Sequence, residues 1–203
     1  MGRITYIFLI MLIIVNKSIT AYADETLRNK ISALEPLILH YGTNSLKVNN
    51  LDVLISKGVF VSEVAWGGDG YTTLVHEGKT WQLARLDERL RNETTIWSVP
   101  HTQEDAITSI SFLIPQKETT STITALYLLI THRDYKHNPL DLSPVEFSLY
   151  ILQPDKDFGI YYFHKLQSET SKAKYCNADS AAYHELGIPL PGDGTEFPCV
   201  KSE

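Results

Sequence analysis

Cysteine is scarce in this sequence: its 203 residues hold two, Cys176 and Cys199, and neither belongs to a C-x-x-C. A redox dithiol of that spacing is excluded. Positive charge is short as well. Lys and Arg number 18 against 24 Asp and Glu, for a formal net charge of −6. An acidic surface argues against nucleic acid or anionic lipid as a partner. Beyond Val15 no hydrophobic segment approaches the roughly 20 residues that cross a bilayer, so no membrane association is expected of the mature chain. There is no internal repeat with a shared motif and no low-complexity tract.

Several catalytic signatures are missing too. No G-x-S-x-G elbow occurs. The seven histidines (His40, His76, His101, His132, His137, His164 and His184) match none of the common zinc spacings. His132, Asp134 and His137 form an H-x-D-x-x-H whose reading as solvated loop residues is preferred. Carboxylates are plentiful, among them Glu63, Asp69, Glu77, Asp87, Glu88, Glu146 and Asp157. A glycosidase needs two of them facing one cleft, which sequence does not identify. The expectation is therefore no enzyme, no catalytic residue, no metal and no cofactor.

What is present begins with the first 23 residues. Met1-Gly2-Arg3 supplies a positive charge, Ile4–Val15 an apolar run of 12, and Ala21-Tyr22-Ala23 a small-x-small site before Asp24. That layout predicts a secretory signal peptide over 1–23, cleaved after Ala23. The run is too short for an anchor, and no Cys follows the cleavage site as in a lipoprotein. The mature chain, 24–203, is expected to be a single α+β domain of about 180 residues in the periplasm or secreted. Losing Arg3 and Lys17 makes it more acidic still. In an oxidising compartment Cys176 and Cys199 are expected to pair, a staple contributing about 3 kcal/mol in the chain-entropy model.

The mature N-terminus reads as helix from Glu25 to His40, with Leu27, Ile31, Leu34, Leu37 and Ile38 at helical spacing and Pro36 as a kink or break. A second helical turn is expected at Leu51–Lys57. The texture then turns to β. Val59–Trp66 reads as a strand, Gly67-Gly68-Asp69-Gly70 as a turn, Tyr71–His76 as a strand, Glu77-Gly78-Lys79 as a turn and Thr80–Leu86 as a strand. Further strands are expected at Thr94–Val99, Ala106–Ile114, Thr122–Thr131, Val145–Leu152 and Ile160–Gln167, with prolines between them. A short helix at Ser171–Leu186 and a Pro/Gly-rich tail at Gly187–Pro198 follow. The architecture expected is an N-terminal helix packed on a mainly antiparallel, meander-rich sheet, with a short C-terminal helix and a disulfide-tied tail.

Two short matches evoke a protein kinase: His132-Arg133-Asp134 and Asp157-Phe158-Gly159. The rest of such a site is missing. No G-x-G-x-x-G loop or V-A-I-K lysine precedes them, no A-P-E follows, and Asn138 lies four residues after Asp134 where the kinase pattern needs five. The preferred reading makes 132–139 the polar exit loop of a strand and 155–159 a turn between strands.

The aromatics carry the binding expectation. Trp66, Tyr71, Trp81 and Trp97 fall on neighbouring predicted strands and are the candidate ligand-binding residues, with core packing as the alternative for each ring.

The leader ending Ala21-Tyr22-Ala23, the mature length, the Trp66-Gly67-Gly68-Asp69-Gly70-Tyr71 stretch and the late Cys176/Cys199 pair together resemble the periplasmic carbapenem intrinsic-resistance proteins of the Car/Cpm type. The resemblance spans the mature chain and carries no functional residue position by position. It implies resistance without β-lactam hydrolysis, by sequestration or protection. The expected function is thus a non-enzymatic periplasmic protein that binds a toxic small molecule. The alternative is an immunity or inhibitor protein that captures a secreted toxin or cell-wall hydrolase. A homodimer is compatible with either.

Overall fold

A computed structural model describes residues 26–61, 67–86, 95–98, 107–118, 123–134, 141–155 and 159–191. In chain order the elements are α1 (Leu27–Ile31), β1 (Leu34–Pro36), β2 (Gly42–Val48), β3 (Leu51–Val61), β4 (Gly67–Glu77), β5 (Thr80–Leu83), β6 (Arg85–Leu86) and β7 (Thr95–Trp97). Then come β8 (Thr108–Pro115), β9 (Tyr127–Arg133), β10 (Val145–Pro154), β11 (Tyr161–Thr170) and α2 (Ala178–Leu186). The class is α+β and the bulk is β, as expected, but the strands form two sheets rather than one. A six-stranded sheet runs β1-β8-β9-β10-β11-β6, and a five-stranded sheet runs β2-β3-β4-β5 with β7 also on β4. Among the described residues the strand pairings are antiparallel except β11 with β6, with one isolated parallel bridge between Val48 and Ile123.

The six-stranded sheet is apolar on both faces. Phe112, Ile114, Leu128, Tyr150 and Phe163 face the second sheet and meet Val53, Ile55, Tyr71 and Val75 there. Leu113, Leu129, Val145, Phe147 and Leu149 face the other way and meet Leu27 and Ile31 of α1 and Ala181, Ala182 and Leu186 of α2. Burial on both faces explains why these strands read as unbroken apolar runs instead of alternating ones. The result is three layers: helix pair, wide sheet, narrow sheet. No helix among the described residues is long and apolar enough to cross a membrane.

Three expectations are corrected. The helix predicted over Glu25–His40 is α1 alone. Thr26 caps it and Ser32 ends it; Leu34–Pro36 then joins β8 as an edge strand. Five residues are marginal as a helix without packing, and Pro36 cannot continue one but suits an edge. Leu51–Lys57, predicted as a helical turn, is the first half of β3. Val53 and Ile55 are buried and their neighbours less so, the period-2 pattern of a strand. Its partner β2 is set by the turn at Asn49 (φ 46°) and Asn50 (φ 67°), and Asn tolerates that left-handed backbone better than most residues.

The third correction concerns Gly67-Gly68-Asp69-Gly70, expected as a turn. It is the start of β4, paired with Gly58–Val61 of β3. Its glycine has a different purpose at Gly68, where an added Cβ would lie 2.1 Å from the Ser98 carbonyl oxygen. Ser98 is bonded closely to the same strand: its N–H donates to the Asp69 carbonyl at 2.9 Å, and its Oγ accepts the Asp69 N–H at 2.8 Å.

Other expectations meet mixed outcomes. The Glu77-Gly78-Lys79 turn joins β4 to β5 as predicted. The strand foreseen over Thr80–Leu86 divides between the two sheets as β5 and β6. Asp155 and Gly159 make the predicted turn, with the Gly159 N–H on the Asp155 carbonyl at 3.1 Å; residues 156–158 lie outside the described set. His132 and Arg133 are not an exit loop but the end of β9, paired with Glu146 and Val145. His132 and Asp134 are exposed, whereas Arg133 is fully buried and donates from Nη1 to the Asp141 carbonyl at 2.9 Å. His137 lies outside the described residues.

The C-terminal helix is shorter than the predicted Ser171–Leu186, because the Asn177 side chain caps Asp179 and Ser180 and starts it there. Gly187 (φ 75°) ends it. Cys176 is buried, and no cysteine is free among the described residues. Cys199 and the tail beyond 191 lie outside them.

Because Gly68 sits against backbone, Gly68→Ala should lower stability by about 2–3 kcal/mol. Gly58→Ala, in the facing strand with nothing within 4 Å of the new Cβ, should stay within about 0.5 kcal/mol of wild type. Urea melts of the two variants check the contrast, and equal losses would contradict it.

Candidate functional site

Of the four aromatics expected to bind a ligand, the structure describes the side chains of Tyr71 and Trp81. Tyr71 lies in the layer between the sheets, its ring centroid 5.6 Å from that of Phe112. Trp81 sits on β5 opposite His76, its ring stacked on the imidazole at 4.7 Å and 46% exposed. Along β4, Tyr71 and His76 are an odd number of residues apart, so Tyr71 and Trp81 occupy opposite faces of the sheet. Trp97 places its backbone opposite Gly70; its side chain and Trp66 are outside the described residues. No single cleft holds Tyr71 and Trp81 together.

Tyr71 belongs instead to a polar knot around Asp69. The Tyr41 and Tyr71 hydroxyls donate to the two carboxylate oxygens at 3.0 and 3.3 Å. Lys57 Nζ lies 3.1 Å from Oδ2 and 4.6 Å above the Tyr41 ring. Burial and the adjacent Asp69 carboxylate raise both phenol pKa values, so both remain donors. A carboxylate so fully engaged is a fastener between the β1–β2 connection, β3 and β4, and a poor general base. On the other face of the wide sheet the Ser109 hydroxyl donates to Asp179. Burial pushes that carboxyl up, and the Ser109 bond offsets part of the rise.

A cleft opens at the end of the narrow sheet away from this knot. It encloses about 430 Å³ and is lined by Val48, Asn49, Leu51, Val53, Thr124, Ala125, Ile151, Leu152, Gln153, Pro154 and Tyr161. Three parts of the chain far apart in sequence meet there: the β2–β3 hairpin, residues 124–125, and the end of β10 with the start of β11. Backbone bonds hold them. The Asn49 N–H donates to the Ile123 carbonyl at 2.6 Å, and the Ile123 N–H to the Lys47 carbonyl at 2.9 Å. The Leu152 N–H donates to the Leu126 carbonyl at 2.9 Å. Glu118 fixes Thr124, accepting its N–H at 2.8 Å and its hydroxyl at 2.6 Å.

The cleft is graded from floor to rim. Val48, Val53 and Tyr161 are buried at its base, whereas Asn49, Thr124, Gln153 and Pro154 are exposed at its mouth. Burial, then the nearby Glu77 carboxylate, raises the Tyr161 pKa, so the phenol stays neutral. None of the eleven lining residues is an acid or a base apart from this phenol. Groups of three or more His, Cys, Asp or Glu suited to a metal ion do not occur among the described residues. Sequence reasoning nominated none of the lining residues. The Asn49-Asn50 pair was the one local signal available, and it marks the turn rather than the cleft.

A helix pair on one face of a wide sheet, with a narrow antiparallel sheet on the other, defines this chain as a two-sheet α+β protein. Among solved structures, that fold is shared with the crystal structure of CarG, at a TM-score of 0.58 and 16% identity, over 80% of this chain and 99% of that one. Identity at this level shows common fold alone, and it is consistent with the Car-type resemblance. No protein-family model matches the chain, and no curated protein does.

The raised Asp179 carboxyl gives a signed pH dependence. Between its ordinary value of 3.8 and its higher folded value, the folded state keeps a proton that the unfolded state has released. Stability therefore falls as pH rises through that window, and the deficit persists above it. Asp179→Asn has no proton to lose, so its stability relative to wild type should improve from pH about 3 to pH about 7. Denaturant melts at the two pH values check this, and a pH-independent difference would contradict it.

Proposed function

We propose that the mature chain is a non-enzymatic binding protein of the periplasm, or secreted, that protects its host by holding a toxic small molecule without hydrolysing it. The observation that carries this reading is the cleft, whose volume of about 430 Å³ and largely apolar lining suit a small-molecule site. Export rests on the leader over 1–23, and with it the Cys176–Cys199 disulfide, for which the buried position of Cys176 is favourable. The Car-type resemblance offers a carbapenem β-lactam as one such molecule, and the fold shared with CarG supports the comparison. Shape and lining speak for binding and leave the choice among toxic molecules to chemistry.

A second reading, an immunity or inhibitor protein against a secreted toxin or cell-wall hydrolase, draws on a different surface. Edge strand β5 exposes Trp81 (46%) and Leu83 (41%) on a chain of net charge −6, which suits contact with a basic protein.

A bound molecule at about 100 times its Kd should stabilise the folded protein by about 2.7 kcal/mol, a rise in Tm of roughly 5–10 °C. Thermal melts against a panel of toxic small molecules, β-lactams included, paired with the sensitivity of a deletion strain, check the reading. No shift with any compound and unchanged sensitivity would end it. Capture of a basic hydrolase from extract, abolished by Trp81→Ala, would favour the second.

A further inference from the structure

The chemistry of the cleft says which small molecules suit it. Its floor is hydrocarbon and a neutral phenol, and its polar groups at the mouth are the side chains of Asn49, Thr124 and Gln153, which carry no charge. Among the described residues, carboxylates stand beside the cleft. Glu118 is bonded to Thr124, Glu77 is near the Tyr161 phenol, and Asp155 follows lining residue Pro154. Lys47, whose carbonyl holds the Ile123 segment, turns its ammonium to Asp52 at 3.5 Å.

An anion entering this cleft would shed water against apolar walls, meet no lining cation, and approach carboxylates at the rim. A neutral molecule loses little hydration and keeps hydrogen-bonding amides at the rim. We infer that the cleft takes an uncharged, mainly apolar molecule and discriminates against anions. This rests on the cleft being the ligand site and narrows that proposal, since the ionised carboxylate of a β-lactam is what the cleft disfavours.

A matched pair of dyes tests it on the mature full-length chain. N-phenylnaphthylamine is neutral, and anilinonaphthalene sulfonate carries the same ring system with one negative charge. The neutral dye should show saturable fluorescence enhancement with one site per chain, and the sulfonate at least about tenfold weaker binding. Ala125→Phe, which fills the cleft, should abolish binding of the neutral dye while circular dichroism stays native. Gln153→Lys, which places a cation at the rim, should narrow the gap between the dyes, a gain that misfolding would not produce. Equal or tighter binding of the sulfonate, lost in Ala125→Phe, overturns the charge preference and leaves the cleft as the site. If neither dye binds, or if Ala125→Phe changes nothing, the cleft reading itself falls.

Discussion

One apolar layer between the two sheets fixes everything else in the molecule. Val53, Ile55, Tyr71 and Val75 on one side and Phe112, Leu128, Tyr150 and Phe163 on the other hold the narrow sheet to the wide one. Truncating a single large side chain in such a layer typically costs about 3–5 kcal/mol, a large share of the about 5–15 kcal/mol that an ordinary domain has. Because the layer demands inward-facing side chains at alternate positions, it sets the register of β3 on β4. Gly68 answers a separate, local constraint, the Ser98 carbonyl packed against it. The wide sheet must bury its second face too, and the short α1 and capped α2 do so.

The same constraint makes the site. At the knot end, Asp69, Lys57, Tyr41 and Tyr71 close the gap between elements with charge-assisted bonds. At the other end the β2–β3 hairpin, residues 124–125 and the β10–β11 hairpin, held by backbone bonds, leave a space of about 430 Å³. A packed interior tolerates few voids of that size, and openings of this kind with mostly apolar walls are where small molecules bind. The uncharged lining beside Glu77 and Glu118 gives that opening a chemical preference as well as a shape.

Much of the β architecture was legible because its signals are local. The turn at Glu77-Gly78-Lys79 and the apolar runs of the wide sheet each report on a few adjacent residues, whereas Pro115 and Pro154, expected between strands, are the last residues of β8 and β10. The misreadings have one physical source. Leu27 and Ile31 are helical while Leu34 and Leu37 are not, since Pro36 and pairing with β8 override the spacing. Leu51–Lys57 carries enough apolar residues to satisfy either period, and the Asn49-Asn50 turn decides it. The split of Thr80–Leu86 between sheets and the parallel β6–β11 pair are tertiary facts with no local trace. The cleft was invisible for the same reason: Val48, Ala125, Ile151 and Tyr161 are ordinary residues brought to one cleft only by long-range pairing. Trp81 and Tyr71 drew attention as aromatics, and the pleat of β4 sends them to opposite faces.

The central claim is that small molecules bind at this cleft and not at the exposed aromatics or the Asp69 knot. The most direct measurement is a map of methyl and amide chemical shifts as the neutral naphthylamine dye is titrated into the labelled protein. Saturating shifts concentrated at Val48, Val53, Ala125 and Ile151, with Trp81 and Asp69 little moved, are the predicted result. Shifts largest at Trp81 or Asp69, with the cleft methyls unmoved, would contradict it.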